Sequence, residues 1–339
     1  AADIHGKNHH HDGSFCDHIV AMTVRTGRGT ERLTPSTTPD EFWATAGGMG
    51  LTGVILDATL QLRPVDSPYI TATTTRHPDL SSLMTALEAA DDATTYSVAW
   101  IDALTTGRHL GRGLVITGEH TTPQELAATS RTGSNPARPH SHSLPDLPIP
   151  VITPRVAKAL NAGWYRLHRP KTEIVPYQAF FHPLDAVTNW NLLYGRRGFV
   201  QWQIVVPDEA GLFIGDVVTE LALTRSGSSL SVLKRFGPGN PAPLSFPMKG
   251  WTLAVDIPAG APGLDGLLRS LDERTAALGG RVYLAKDARL DPTHMERMYP
   301  RLAQWQATRS EMDPDGRFRS DLSRRLHLAD IAPNPGAFR

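Results

Sequence analysis

An α+β architecture is what this sequence predicts, and three observations predict it. Strand-length apolar runs near 69–75, 96–101, 112–119, 198–206, 229–236 and 251–257 take turns with helix-length amphipathic runs near 79–90, 155–167, 184–194, 208–224 and 263–278. The segment ahead of them has hairpin grammar, two strand patterns around a glycine-rich turn. Finally, 339 residues with 40% hydrophobic and 20% charged side chains describe a folded body rather than a disordered chain or a coiled coil. At roughly 100–200 residues per domain, two domains with real cores are expected.

The elements follow in order. His5, His9, His10 and His11 stand beside Asp12. In a strand, neighbouring side chains point to opposite faces and chelate poorly, so no metal is expected; the readings are a hydrogen bond to a cofactor or substrate and, for His10 and His11, solvated surface. Residues 19–34 read as a hairpin turning at Gly27-Arg28-Gly29. Pro39-Asp40-Glu41-Phe42-Trp43-Ala44-Thr45 opens a helix with Pro and acids in its first turn. Gly48-x-Gly50-x-x-Gly53 spells a dinucleotide fingerprint, but a helix precedes it and the strand 54–62 follows. That inverts the order in which a pyrophosphate meets a helix N-terminus, so a nicotinamide site is not expected. The glycines are read as a tight turn or as backbone brought close to something flat or to another chain segment.

Further along, 120–154 is rich in Pro and Ser and reads as a long loop over a functional region or as a linker. Asn240-Pro241-Ala242-Pro243-Leu244-Ser245-Phe246-Pro247 is a proline-dense loop that cannot join a sheet; it is a rigid surface loop or a pocket wall that carries Lys234 toward an anion. Segment 281–328 returns to a short strand, Arg281-Val282-Tyr283-Leu284, and two helices rich in Arg and aromatics, with Lys286 beside Asp287 as an ordinary surface ion pair by default.

Composition excludes several roles. Lys plus Arg and Asp plus Glu both number 34, which leaves no electrostatic footprint for nucleic acid. The single cysteine, Cys16, can close no internal disulfide and build no cysteine zinc site. No run reaches the roughly 18 apolar residues of a membrane-spanning helix. Ala1 onward has neither the basic head nor the apolar middle of a signal peptide, and the missing initiator Met leaves room for residues ahead of it.

Several pieces stand together in one order: Ala2-Asp3-Ile4-His5-Gly6-Lys7-Asn8-His9-His10, Phe42-Trp43-Ala44-Thr45 with the glycine loop, Phe181-His182-Pro183-Leu184-Asp185, the 236–251 loop and Tyr283-Leu284-Ala285-Lys286-Asp287. In that order, from residue 1 to about 328, they resemble the decaprenylphosphoryl-ribose oxidase branch of the vanillyl-alcohol-oxidase type of FAD-dependent oxidoreductases. The resemblance implies a split FAD-binding domain, 1–67 and 281–339, with a substrate domain of antiparallel sheet and helices, 68–280, inserted. It implies FAD held by Ala2, Asp3, Ile4, His5, Ile55 and Tyr283; a substrate pocket of Lys7, Phe181, Gln201, Gln203, Lys234, Phe236 and Thr252; and Lys286 as the catalytic group.

The implied reaction is oxidation of the ribose 2-hydroxyl of a polyprenyl-phosphate sugar to the 2-keto sugar, the first half of an epimerisation that supplies cell-wall arabinan. A short-chain-dehydrogenase-type keto-sugar reductase would be the partner. Peripheral membrane contact, without a spanning helix, would run through 120–154. A sugar-lactone or other alcohol oxidase, or a non-catalytic scaffold, stays open beside this reading. Three departures bear on the expectations. Family members carry a further segment ahead of the Ala-Asp-Ile-His motif that grips the FAD pyrophosphate, so the stretch from Ala1 is expected to hold FAD weakly or not at all. Phe181 stands where mycobacterial members have Tyr, removing a phenol hydrogen bond. Ala254 replaces Cys and Thr252 replaces Asn, which leaves the pocket wall without a thiol.

Overall fold

Long strands with alternating apolar and polar side chains need one covered face and leave one for function. The computed structural model, which describes residues 2–129, 142–143, 151–226 and 229–329, meets that need with two antiparallel sheets. The first comprises β1 (Ile19–Arg25), β2 (Thr30–Leu33) and β3 (Val54–Leu60) in the order β2-β1-β3. The rest of the strands are β4 (Tyr69–His77), β5 (Tyr96–Ile101), β6 (Gly113–His120), β7 (His142–Ser143), β8 (Lys171–Pro176), β9 (Val187–Thr188), β10 (Phe199–Val206), β11 (Ser231–Phe236), β12 (Gly250–Pro258) and β13 (Arg281–Val282). Eight of them form the large sheet, in the order β13-β10-β12-β11-β5-β6-β4-β8, and each of its pairs is antiparallel. β7 and β9 make a separate two-residue parallel pair. The mixed architecture with a large antiparallel sheet agrees with the α+β reading.

Core formation follows from the alternation. Ile204 and Val206 on β10, Leu233 on β11, and Leu253, Val255 and Ile257 on β12 are fully buried. Helices Leu80–Asp91, Leu212–Thr224 and Leu264–Ala277 cover them with Leu83, Leu87, Ile214, Val217, Val218, Leu221, Leu268 and Leu271, at helical spacing. Each such side chain contributes about 1.5–3 kcal/mol by leaving water. The opposite face of β10, β11 and β12 carries Gln, Thr, Lys and Asp, and it is there that a site can form.

The return segment packs on the start of the chain. Helix Leu302–Met312 lies against helix Pro39–Thr45, with the Trp305 indole N–H donating to the Ala44 carbonyl at 2.9 Å. Met312 joins Met22, Val24, Leu33 and Phe42 in a second core.

Three local expectations change, and one strand of the large sheet, β8, is added. The helix expected near 184–194 is broken into helix Tyr177–Phe181, a 3-10 turn at Pro183–Ala186, β9 and a 3-10 turn at Trp190–Tyr194, because Pro183 cannot continue a helix and Asn189 adopts φ 61°. Strand β8 escapes periodicity because Lys-Thr-Glu at its start are all exposed at the sheet edge. His9–Asp12 is one helical turn rather than a strand, so its histidines fan around a helix. Within 120–154, Thr122 and Glu125 form a reciprocal cap on helix Pro123–Ala128; the loop reading for 130–141 and 144–150 falls outside the described residues. Among the described residues no helix is long and apolar enough to cross a membrane.

Candidate functional site

Cross-strand register assembles the site. Gln201 pairs with Asp256 and Gln203 with Ala254 across β10 and β12, while Lys234 pairs with Thr252 across β11 and β12. Residues two apart on a strand share a face, so these side chains stand on one polar surface opposite the core. Over it runs the N-terminal segment. The Ser97 amide donates to the Lys7 carbonyl and the Phe15 amide to the Ile4 carbonyl, both at 2.9 Å, which ties that segment to β5 and to the turn that follows it.

His5 is the hub. Its ring lies among those of Phe236 (centroids 4.7 Å apart), Tyr283 (5.4 Å) and Phe246 (5.9 Å). Gln203 Nε2 sits 3.1 Å from His5 Nε2 and also donates to Thr252 Oγ1 at 2.9 Å; that hydroxyl donates to the Ile204 carbonyl at 2.8 Å. Lys234 Nζ is 2.9 Å from His5 Nδ1 and donates to the Gly6 carbonyl at 3.2 Å. With Gln203 donating to Nε2, His5 keeps its proton on Nδ1, and that N–H donates a hydrogen bond to Lys234 when the amine is neutral. Gln203 Oε1 is buried and finds no partner among the described residues, leaving an acceptor available to a ligand hydroxyl.

Crowded cations set the electrostatics. Burial, then Lys286 and Lys7, push the Lys234 amine down to about 7. Burial pushes Lys7 down to about 8; its Nζ donates to the Phe180 carbonyl and lies 4.1 Å from that ring's centre. His5 falls well below the ordinary imidazole range through burial and the charges of Lys234, Lys286 and His9. Burial also lowers Lys286, while Asp256 pulls it back up. Burial lifts the Asp256 carboxyl to about 6 against the opposing hydrogen bond from Gln201 Nε2 at 2.7 Å and the charge of Lys286. A cluster of three amines and one reluctant carboxylate favours an anion.

The neighbouring floor is held by Asp3. Its buried carboxylate accepts from Ser14 Oγ (2.8 Å), the Cys16 amide (3.1 Å), Asn240 Nδ2 (2.7 Å) and Ser245 Oγ (2.7 Å), which clamps the proline loop to the N-terminal segment. Tyr283 stacks on Phe246 at 4.5 Å and its hydroxyl donates to the Asp3 carbonyl at 3.4 Å. The glycine loop lies between helix Pro39–Thr45 and β3, as its inverted order foretold. A Cβ on Gly48 would stand 2.1 Å from the Ala44 carbonyl oxygen and one on Gly53 2.6 Å from that of Arg25, whereas one on Gly50, at φ +77°, would meet no atom of the described residues within 4 Å.

The structure thus brings His5, Lys7, Gln201, Gln203, Lys234, Phe236, Thr252, Tyr283 and Lys286 into one neighbourhood. Ala2, Asp3 and Ile4 border it. Ile55 stands apart on β3, half-buried against the second core. Phe181 packs on Tyr96 at 5.0 Å and lines a cleft with His120 and Tyr177; its neighbour Phe180, not Phe181, touches Lys7. Asp287, expected beside Lys286 as an ion pair, instead holds Arg325 at 2.7 Å and caps the Arg289 and Leu290 amides.

One side chain of the site, Asp256, is not among the sequence-predicted residues, and His9 takes a place its local pattern does not give. Asp256 continues the period-two series Thr252, Ala254, Asp256, so strand alternation carried the signal. His9, read in the sequence as a histidine that hydrogen-bonds to a cofactor or substrate, is buried against Phe236 at 4.5 Å and pushed down to about 4 by burial and by Lys234, a placement set by the helical turn. Among the described residues no group of three or more His, Cys, Asp and Glu is arranged to hold a metal ion.

Comparison with known proteins adds the remaining evidence. A family model described as D-arabinono-1,4-lactone oxidase matches residues 266–326. The chain is 38% identical over 335 residues to a protein from the mprA 5′ region of Streptomyces coelicolor described only as uncharacterized, covering 96% of this chain and 91% of that protein. It is 39% identical over 334 residues to the decaprenylphosphoryl-beta-D-ribose oxidase of Mycolicibacterium smegmatis, covering 96% of this chain and 72% of that one. At 39% identity over 96% of this chain and 72% of that relative, the chain belongs to the decaprenylphosphoryl-β-D-ribose oxidase family.

Proposed function

We propose that this protein is an FAD-dependent oxidase that converts the ribose 2-hydroxyl of decaprenylphosphoryl-β-D-ribose to a ketone. The observation that carries the reading is the convergence of Lys7, Lys234 and Lys286 on a polar sheet face with Gln203, a surface suited to an anionic ligand rich in hydroxyls. The residues fit the cofactor: Gly50 offers open backbone, Gln203 Oε1 is an unpaired buried acceptor, and Ile4 is 52% exposed beside the clamped Asp3. Ala2, Asp3, Ile4, His5, Ile55 and Tyr283 would hold FAD, Asp3 through its backbone because its carboxylate is committed elsewhere. The division into a split FAD domain of vanillyl-alcohol-oxidase type, 1–67 with 281–339, around a substrate domain, 68–280, is supported by the packing of helix Leu302–Met312 on helix Pro39–Thr45.

When bound, FAD supplies the acceptor for the hydride that leaves the sugar C2. The chain's own residues handle the rest. Lys286 stands at the reacting hydroxyl and takes its proton or neutralises the alkoxide; its burial-lowered amine suits the first role, and the pull of Asp256 the second. Gln203, held by Thr252 and His5, orients sugar hydroxyls, with Gln201 braced on Asp256 beside it. Lys234 and Lys7 meet the phosphodiester, while Phe236 and Phe181 supply apolar walls. The keto sugar is then passed to a short-chain-dehydrogenase-type reductase, and the lipid tail brings the protein to a membrane surface as a peripheral partner.

Loss of one electrostatic contact at a reacting centre costs roughly two to three orders of magnitude in rate. Lys286→Ala should therefore slow flavin reduction in anaerobic stopped flow by that factor while leaving the visible flavin spectrum and the fold unchanged. Unchanged reduction in the variant removes Lys286 from the reaction. The match to the lactone-oxidase family over 266–326 gives a rival substrate class, and turnover of a phosphate-free aldonolactone in preference to the phosphorylated ribose decides for it.

A further inference from the structure

One helix is built the wrong way round for a soluble surface. In helix Pro154–Leu167 the anchoring side is narrow: Ala157 and Asn161 are buried, Asn161 Nδ2 donates to Asp102 Oδ1 at 3.0 Å, and Tyr165 lies under Arg112, 4.8 Å from its guanidinium. These three recur every fourth residue, a stripe about 80° wide at 3.6 residues per turn. The large apolar side chains are not on that stripe. Val156, Leu160, Trp164 and Leu167 are 37%, 50%, 50% and 81% exposed and fall within another arc of about 80°. On the other flank of the anchor stand Arg155, Lys158 and Arg166, all exposed, and Arg169 follows just past the helix end. Between Pro154 and Thr172 there is no acidic residue. A cleft of about 450 Å³ beside the first turn adds Arg225 and the 69% exposed Leu223 to the same surface.

We propose that the outward side of helix Pro154–Leu167 docks on the surface of an anionic lipid bilayer. A helix of low overall hydrophobicity, with an apolar edge that includes Trp and a Lys/Arg-rich edge, is the form that lies in the headgroup plane with its apolar edge immersed. Charge complementarity selects the occupant. Cations without a single acid across 154–172 suit anionic headgroups, whereas a second copy of the same face would bring like charges together. The inference moves membrane contact from 120–154 to a helix with a stated orientation. It rests on the oxidase reading only for its purpose, since a polyprenyl substrate resides in the bilayer.

The test is co-sedimentation of the purified chain with vesicles of phosphatidylcholine alone and of phosphatidylcholine with phosphatidylglycerol. The parent should sediment with the second and not the first. Each basic residue near an anionic surface is worth about fivefold in affinity, so Arg155→Glu/Lys158→Glu/Arg166→Glu should lose at least about a hundredfold. Leu160→Asp/Trp164→Asp should lose about tenfold or more even at low salt, with far-ultraviolet circular dichroism unchanged because both positions are exposed. A parent that stays in the supernatant, or variants that sediment with it equally, overturns the proposal. So does a gel-filtration shift to a smaller species in Leu160→Asp/Trp164→Asp with vesicle binding intact, which makes the face a self-association surface. Flavin reduction by a short-chain soluble analogue reads the chemistry separately. Its failure with vesicle binding intact strikes the oxidase reading alone, and the reverse pattern strikes the docking face alone.

Discussion

Without an anion beside it, Lys234 gains little by keeping its proton. Its amine, pushed down to about 7, is close to half neutral at neutral pH and in that form can accept a hydrogen bond from the His5 Nδ1–H. A phosphodiester brought within reach reverses that balance, so binding of a phosphorylated substrate at pH 7–8 should take up a proton, visible as a buffer-dependent enthalpy in calorimetry. Lys234→Met should abolish the uptake and raise KM while leaving reduction at saturation nearly unchanged; a phosphate-free ribose analogue should ignore the change. Equal weakening of both substrates would make Lys234 structural. Asp256 makes a second case. Its folded value, raised to about 6 from 3.8, means the native state prefers the protonated carboxyl, so this group's contribution is intact below about pH 4 and is lost as pH rises through 6. The loss is at most about 3 kcal/mol at 1.36 kcal/mol per unit. His9, pushed down to about 4, acts the other way, contributing fully above its unfolded value of 6.5 and losing that contribution as pH falls toward 4. Asp256→Asn keeps an acceptor for Gln201. It should raise the thermal midpoint at pH 7–8 and leave it unchanged at pH 4, a pattern thermal scans across that range would establish or refute.

At the scale of elements, the glycine loop separates two roles that one motif string conflates. Gly48 is required because a side chain would drive into the Ala44 carbonyl of the preceding helix, where the Trp305 indole also donates. For folding, Gly50 is required by its φ of +77° alone, since no atom of the described residues crowds it. Gly50→Ala should therefore cost about 1–2 kcal/mol in chemical denaturation, and Gly48→Ala several times more or no soluble protein. Comparable small losses would mean the helix end yields. Much of this level was legible: Pro39 and its acids, the hairpin, and the strands that carry Gln201, Gln203, Lys234 and Thr252 stand in local pattern, and register then follows from alternation. The rest was not, for physical reasons. Strand β8 draws its place from β4 rather than from its own polar start. The 184–194 helix was read from apolar spacing that Pro183 and the left-handed Asn189 override. The meeting of His5 with Lys234 and Gln203 spans 229 and 198 positions, a separation at which no periodicity operates.

At the scale of the whole molecule, one buried ion pair closes the chain on itself. Arg309 and Asp313, 1% and 0% exposed, join at 3.0 Å. Asp313 accepts the Arg317 and Phe318 amides at 2.9 Å each, while Arg309 donates to the Leu51 carbonyl at 3.3 Å and to that of Phe318 at 3.1 Å. The preceding residue, Met312, accepts the Gly27 amide at 2.8 Å. The hairpin turn, the glycine loop and the return segment thus meet at one junction, and the main core runs unbroken from Ala44 and Leu51 through β10–β12 to Trp305 and Leu328. Removing one partner of a buried pair strands the other charge and typically costs about 3–5 kcal/mol, whereas replacing both with apolar residues costs far less. Asp313→Ala should lose that amount, and Arg309→Met/Asp313→Leu should recover part of it but not the caps on the 317 and 318 amides. Because the core is continuous, tryptophan fluorescence and far-ultraviolet circular dichroism should report a single coincident transition in parent and variants alike. A variant that melts in two steps, with the 302–328 segment and the β1–β3 sheet leaving first, would show instead that the junction is a seam between separately stable halves. The residues around His5 would then depend on that seam for their alignment, and flavin retention should fall at the first step rather than the second.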